Sequence, residues 1–273
     1  MKKLALIISC SIFLFSCEEV VEIDVPTGAP KLVIEALFEV YFNDIPVTTK
    51  AVVKLRLSAA YFEEELPLVT NALVTLENLS NNAIVSFEDG DLDGNYKPTS
   101  VFILEDDVIY ELSVTYNNEV FKGKATKIKT PLFIKVEQGT KTLFSGNETE
   151  VIVEFSDDEL QENFYLFDFT NNLYLSIEDR FFNGSDYNFS FFYQEEEVEI
   201  PSDVTIKMAG VSKDYYTYFR VLSSQSGQSG GGPFETTPSS LLGNIVNTTD
   251  ATNFPLGYFN ISETATYTLS LTE

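Results

Sequence analysis

Apolar and polar residues alternate with a period of two along most of this chain. That spacing puts one face of a β-strand in a core and the other in water. The run KLVIEALFEVYF (31–42) follows Pro26 and Pro30 and opens the folded part. In AVVKLRLS (51–58), Ala51, Val53, Leu55 and Leu57 share one face, while Lys54 and Arg56 take the other. NALVTLENL (71–79) repeats the pattern through Ala72, Val74 and Leu76. AIVSFE (83–88), YKPTSVFIL (96–104), VIYELSVTY (108–116) and EVFKGKATKIK (119–129) follow, separated by short polar turns. About seven strands in roughly 100 residues is the count and spacing of an immunoglobulin-like β-sandwich. The sequence has no Trp, so the Cys-Trp-Cys signature of antibody-type domains is missing and the expectation concerns architecture alone.

Thr130-Pro131 marks a seam, because proline interrupts strand pairing. The expected division is a sandwich over 31–130 and a second, aromatic-rich β domain over 131–273. In that second region EVIVEF (150–155), FYLFDFT (164–170), LYLSIED (173–179), YNFSFFY (187–193) and DVTIKMA (203–209) read as strands. Tyr187, Phe189, Phe191 and Tyr193 fall on one face. The period then changes. In SKDYYTYFRVLSSQ (212–225), Tyr215, Tyr218, Phe219 and Leu222 recur at helical spacing, with Ser212 as N-cap and Asp214 in the first turn. This predicts one short helix on the sheet. SGQSGGGP (226–233) reads as a flexible loop, and GYFNIS and ATYTLSL close the chain as two strand-like runs.

The first residues carry a different pattern. Lys2 and Lys3 precede an uncharged apolar run from Leu4 to Phe15. It is shorter than the roughly 20 residues a membrane span needs and matches a secretory signal. Leu14-Phe15-Ser16-Cys17 resembles a bacterial lipoprotein box, which predicts a signal peptide over 1–16 and lipid attachment at Cys17. Residues 17–30 then form an acidic tether that begins with Glu18, Glu19, Glu22 and Asp24.

The full chain has 17 basic and 42 acidic residues, a net charge of −25. Removal of Lys2 and Lys3 with the signal makes it more negative still. Such a balance disfavours nucleic acid and anionic lipid head groups. With no histidine, triads and metal sites built on that residue are excluded. The Gly-rich GQSGGG lacks a P-loop lysine and reads as a loop, so no catalytic residue, cofactor or metal is expected. Asp89, Asp91 and Asp93 in EDGDLDGNY (88–96) imitate the start of a calcium loop. The twelfth position holds Ser100 instead of the bidentate glutamate, so a hairpin connection is expected there. Phe and Tyr number 23 and 14, and in alternating strands they belong mainly to the core. Tyr41 and Tyr61 are the surface tyrosines considered for stacking on a sugar.

Several motifs, taken in order, point to a family. CEEVVEIDVPTGAPKLVIEALF, NALVTLEN, the GNY turn, VIYELSVTYNNEVFKGKAT, LLGNIVN and PLGYFNIS resemble Bacteroidota outer-membrane lipoproteins of a domain-of-unknown-function family. Members are often encoded beside TonB-dependent receptors, and the acids behind the cysteine resemble their signal for the outer face of the outer membrane. Ala36 stands where members commonly have glycine. The resemblance implies a non-catalytic, lipid-anchored accessory partner of a TonB-dependent receptor in nutrient capture or uptake. The alternative expectation is a free-standing surface module that binds a glycan or a protein. The resemblance supplies no catalytic residues.

Overall fold

The computed structural model describes residues 28–60, 63, 65–143, 145–225 and 241–273. The signal, Cys17, most of the tether, Tyr61 and the 226–233 loop lie outside them. The alternating runs become strands. β1 (Leu32–Tyr41) pairs antiparallel with the short β2 (Thr48–Lys50) and with β3 (Val53–Leu57). Next come β4 (Leu73–Asn78), β5 (Ala83–Glu88), β6 (Asn95–Pro98), β7 (Ile109–Tyr116) and β8 (Glu119–Ile128). They continue the sheet in the order β3-β6-β5-β4-β7-β8. Asn117 and Asn118 both have positive φ, which suits the two-residue turn between β7 and β8. The expected strand at 96–104 stops at Pro98, which has no N–H for the ladder. Beyond it Val101 and Ile103 stand in solvent, while Leu104 is buried and Phe102 packs against the core.

The second half contributes β9 (Phe133–Gln138), β10 (Thr149–Ser156), β11 (Phe164–Asp168) and β12 (Tyr174–Glu178). A single 3-10 turn (Asp179–Phe181) leads to β13 (Asp186–Tyr193) and β14 (Ser202–Val211). β13, β10 and β9 form a separate three-stranded sheet. The helix α1 (Lys213–Gln225) starts as expected, with the Ser212 hydroxyl accepting from the Tyr215 N–H at 3.2 Å. Its buried residues are Tyr215 and Tyr216, whereas Leu222 is exposed. β15 (Ile245–Asn247) adds to β8, and β16 (Leu256–Leu271) ends the fold.

The two closing runs are one sixteen-residue strand. Its first half pairs parallel with β1, and its second half pairs antiparallel with β14. At Ile261 and Ser262 it also touches β8, which closes the first sandwich. The odd-numbered residues enter two cores in turn. Phe259 and Ile261 join Ile34, Phe38 and Leu76, while Ala265 and Leu271 join Phe155, Phe167 and Tyr193. One long sheet, β12-β11-β14-β16-β1-β3, therefore carries both cores on one face. β16 crosses the seam at 130/131. The protein is mainly β, with a large mixed sheet, a small sheet and one α-helix among the described residues. No described helix is long and apolar enough to cross a membrane.

Candidate functional site

The opposite face of the long sheet is only partly covered. α1 packs over it through a small cluster of Tyr215 and Tyr216 with Phe164, Val211 and Tyr258. Beside the helix lies a groove of about 290 Å³ whose floor is the even-numbered side of β16: Asn260, Ser262 and Thr264. Alternation dictates this. Phe259 and Ile261 are pulled into the core, so their neighbours face the other way.

All three floor residues are buried, with Asn260 at 6%, Ser262 at 2% and Thr264 at 0% exposure. The Asn260 Nδ2 donates to the Ser262 Oγ at 2.8 Å. Among the described residues the Thr264 hydroxyl has no hydrogen-bond partner. A buried polar group in that position costs about 1–3 kcal/mol, so it marks a place where a second polar atom would be favourable.

Strand register brings three charge pairs to the same groove. Glu35 opposes Lys54, Glu39 opposes Lys50, and Asp168 opposes Lys207. Lys207 Nζ reaches Glu39 Oε1 at 3.2 Å and Asp168 Oδ2 at 4.0 Å. Lys50 lies 3.5 Å from Glu39, and Lys54 lies 3.5 Å from Glu35. Cross-strand pairs of this kind stabilise a sheet by a few tenths of a kcal/mol to about 1 kcal/mol. Their larger consequence is local neutrality in a strongly acidic chain.

An aromatic wall completes the groove. Tyr174 on β12 meets Phe219 of α1 edge to face at 5.5 Å, and Tyr215 stands behind them. Burial pushes the Tyr174 hydroxyl pKa up, and the charges of Asp168, Glu39 and Glu35 push it further. Tyr215 is raised too, again mainly by burial. Both therefore stay neutral donors at ordinary pH.

The residues singled out in the sequence fall elsewhere or at the edge. Tyr41 is half-buried beside the groove, and its hydroxyl donates to Glu39 Oε2 at 2.9 Å. EDGDLDGNY is the connection between β5 and β6, which pair antiparallel as expected. Asp89 accepts from the N–H groups of Asp93 and Gly94, Asp93 accepts from Asn95, and Asp91 pairs with Lys97 at 2.8 Å. These carboxylates are used within their own turn. Tyr215 and Phe219 reach the groove from the helix face read by its spacing. Of the three lysines the alternation places only Lys54, on the face away from the core, and the polar floor, Lys50 and Lys207 belong to no local motif. A signal exists in the regular alternation of Asn260, Ser262 and Thr264 with Phe259, Ile261 and the residues that follow.

A second cavity, of about 220 Å³, lies at the seam by Thr130, Asp157 and Asn163. Its two acids are already engaged: Asp157 accepts from the Tyr165 hydroxyl and from the Gly184 N–H, and Asp158 accepts from the Leu160 N–H at 3.1 Å.

The family described as "Domain of unknown function (DUF4249)" matches residues 18–268. No curated protein matches the chain. Among solved structures, the chain is similar to the chicken interferon gamma receptor alpha chain at 11% identity, over 68% of this chain and 90% of that one. The TM-score is 0.19, too low for the likeness to bear on fold or function.

Proposed function

The chain belongs to the DUF4249 family, and we propose that it is a non-catalytic binding protein anchored in the outer membrane through lipid on Cys17. It serves there as the accessory partner of a TonB-dependent receptor in nutrient capture or uptake. The observation that carries the binding reading is the groove floor. A fully buried hydroxyl without a partner, Thr264, lies on the strand shared by both cores. A site on paired strands holds its geometry better than one on a loop, and a ligand atom reaching Thr264 would relieve its desolvation.

The sequence supports the location. Lys31 lies fourteen positions after Cys17, so the tether spans at most about 50 Å. A body held that close meets a neighbouring receptor at high effective concentration, and a weak interface suffices.

Metabolic labelling with an alkyne fatty acid tests the anchor. Wild type should be labelled and Cys17→Ala should not; equal labelling would remove the lipoprotein reading. Affinity purification under mild detergent tests the partnership, with a TonB-dependent receptor expected among the recovered proteins. Recovery of no receptor would leave a free-standing surface binding module.

A further inference from the structure

We infer that the groove takes a neutral polyhydroxylated ligand, a saccharide ring or a short uncharged glycan. This rests on the reading of the groove as a ligand seat and adds the chemistry of what sits there.

Charge is the first ground. The chain as a whole has 42 acids against 17 bases. The groove instead places Lys50, Lys54 and Lys207 against Glu35, Glu39 and Asp168. Each lysine already has a carboxylate within 4.0 Å. An anion or a cation would have to displace one of these partners, whereas a hydroxyl can add to the pairs. Carboxylate lone pairs accept from it and ammonium N–H groups donate to it.

The floor is the second ground. Asn260 and Ser262 satisfy each other at 2.8 Å, which fixes their orientation, and the Thr264 hydroxyl is left over. A hydroxyl both donates and accepts. A ligand hydroxyl brought to Thr264, which is 0% exposed and is reached only when the side chains above it shift, pairs with it whichever way its proton points. An apolar ligand would leave that atom unsatisfied and bury three ion pairs without compensation.

The wall is the third. Tyr174 is 38% exposed and braced edge-on by Phe219. A braced, accessible ring offers a flat apolar surface for the C–H face of a pyranose. The volume of about 290 Å³ lies at the small end of ligand pockets, which favours one or two rings over a long chain.

The experiment uses the lipidated protein in a detergent without a sugar head group. Glucose, N-acetylglucosamine, xylose and maltose are the neutral probes; glutamate, diglycine and inorganic phosphate are the charged ones. Saturation-transfer NMR reads binding. Tyrosine fluorescence gives a second signal, since the chain has no Trp. A neutral saccharide is expected to bind saturably, with affinity changing less than about twofold from low to high salt. Thr264→Val and Phe219→Ala should each weaken it by about tenfold or more. Thr264→Val serves as the control for folding if the helix variant is unstable. Saturable, Thr264-dependent binding of glutamate, diglycine or phosphate without any saccharide would overturn the ligand class and leave the groove as the seat. Absence of any Thr264-dependent binding would overturn both.

Discussion

The Thr130 hydroxyl donates to the backbone carbonyl of Glu263 at 2.5 Å, across 133 positions of sequence. The same oxygen accepts from the Gly210 N–H at the end of β14. One side chain thus joins the three segments that meet at the seam: the end of β8, the end of β14 and the middle of β16. Space there is already used up, since a Cβ on Gly210 would meet the Lys129 carbonyl oxygen at 2.0 Å.

Replacing Thr130 by valine keeps the shape and deletes both hydrogen bonds. The stranded backbone groups should lower stability by about 2 kcal/mol, within the usual 1–3 kcal/mol for a buried polar group left unpaired. Thr130→Ser should retain most of it. Urea denaturation of both variants checks this, and equal loss in the two would show that the methyl group matters as much as the hydroxyl.

The second core depends on aromatic contacts. Phe155 is fully buried and meets Tyr165 at 4.9 Å, Phe167 at 5.7 Å, Phe182 at 5.9 Å and Tyr187 at 6.0 Å. Phe155→Ala should cost about 3–5 kcal/mol. Phe181→Ala, at a ring that is 91% exposed, should stay within about 0.5 kcal/mol. Thermal melts of the pair would separate the two effects, and similar values would deny the core its role.

How much of this is legible in the sequence depends on whether the information is local. Val53 and Leu55 alternate with Lys54 and Arg56, and that alone defines a half-buried strand. Ser212 followed by Tyr215 and Phe219 likewise identifies a capped helix without knowledge of its neighbours. β16 is harder. Glu263-Thr264 look like a polar break between two strands, yet Thr264 is fully buried where β14, from a distant part of the chain, pairs with it through Ala209. β9 is also hidden, since Ile134 faces solvent while Val136 is buried. The groove is the extreme case. Lys54, Lys50 and Lys207 lie on three different strands and converge only through pairing register, which no local pattern encodes.

Acid should weaken the loop before β10. Glu148 accepts from the N–H groups of Leu143, Ser145 and Gly146 and from the Ser145 hydroxyl. Burial alone would raise its pKa, but these donors outweigh it and hold the carboxyl down from 4.5 to about 2. A lowered folded pKa means the contribution is complete above about 4.5 and is lost as pH falls towards about 2. Glu148→Gln should therefore lower the melting temperature at pH 7 and flatten its fall between those pH values. An unchanged acid limb in the variant would assign the effect to other carboxylates.

Thr264 separates binding from stability. Its hydroxyl is buried without a partner, so Thr264→Val removes a desolvated polar atom and keeps the shape. Most core substitutions destabilise; this one should leave the free protein unchanged or stabilise it by about 1–2 kcal/mol, the desolvation cost of an unpaired hydroxyl. The same change should weaken whatever occupies the groove, because the atom costly in the free state is the one a ligand would pair. Thr264→Ser restores the hydroxyl without the methyl group. It should regain binding while losing a little stability to the small void. Denaturation and ligand titration of both variants together are the test. A clear loss of stability in the valine variant would mean that the hydroxyl already has a partner in the free protein, and the case for the groove would lose its central atom.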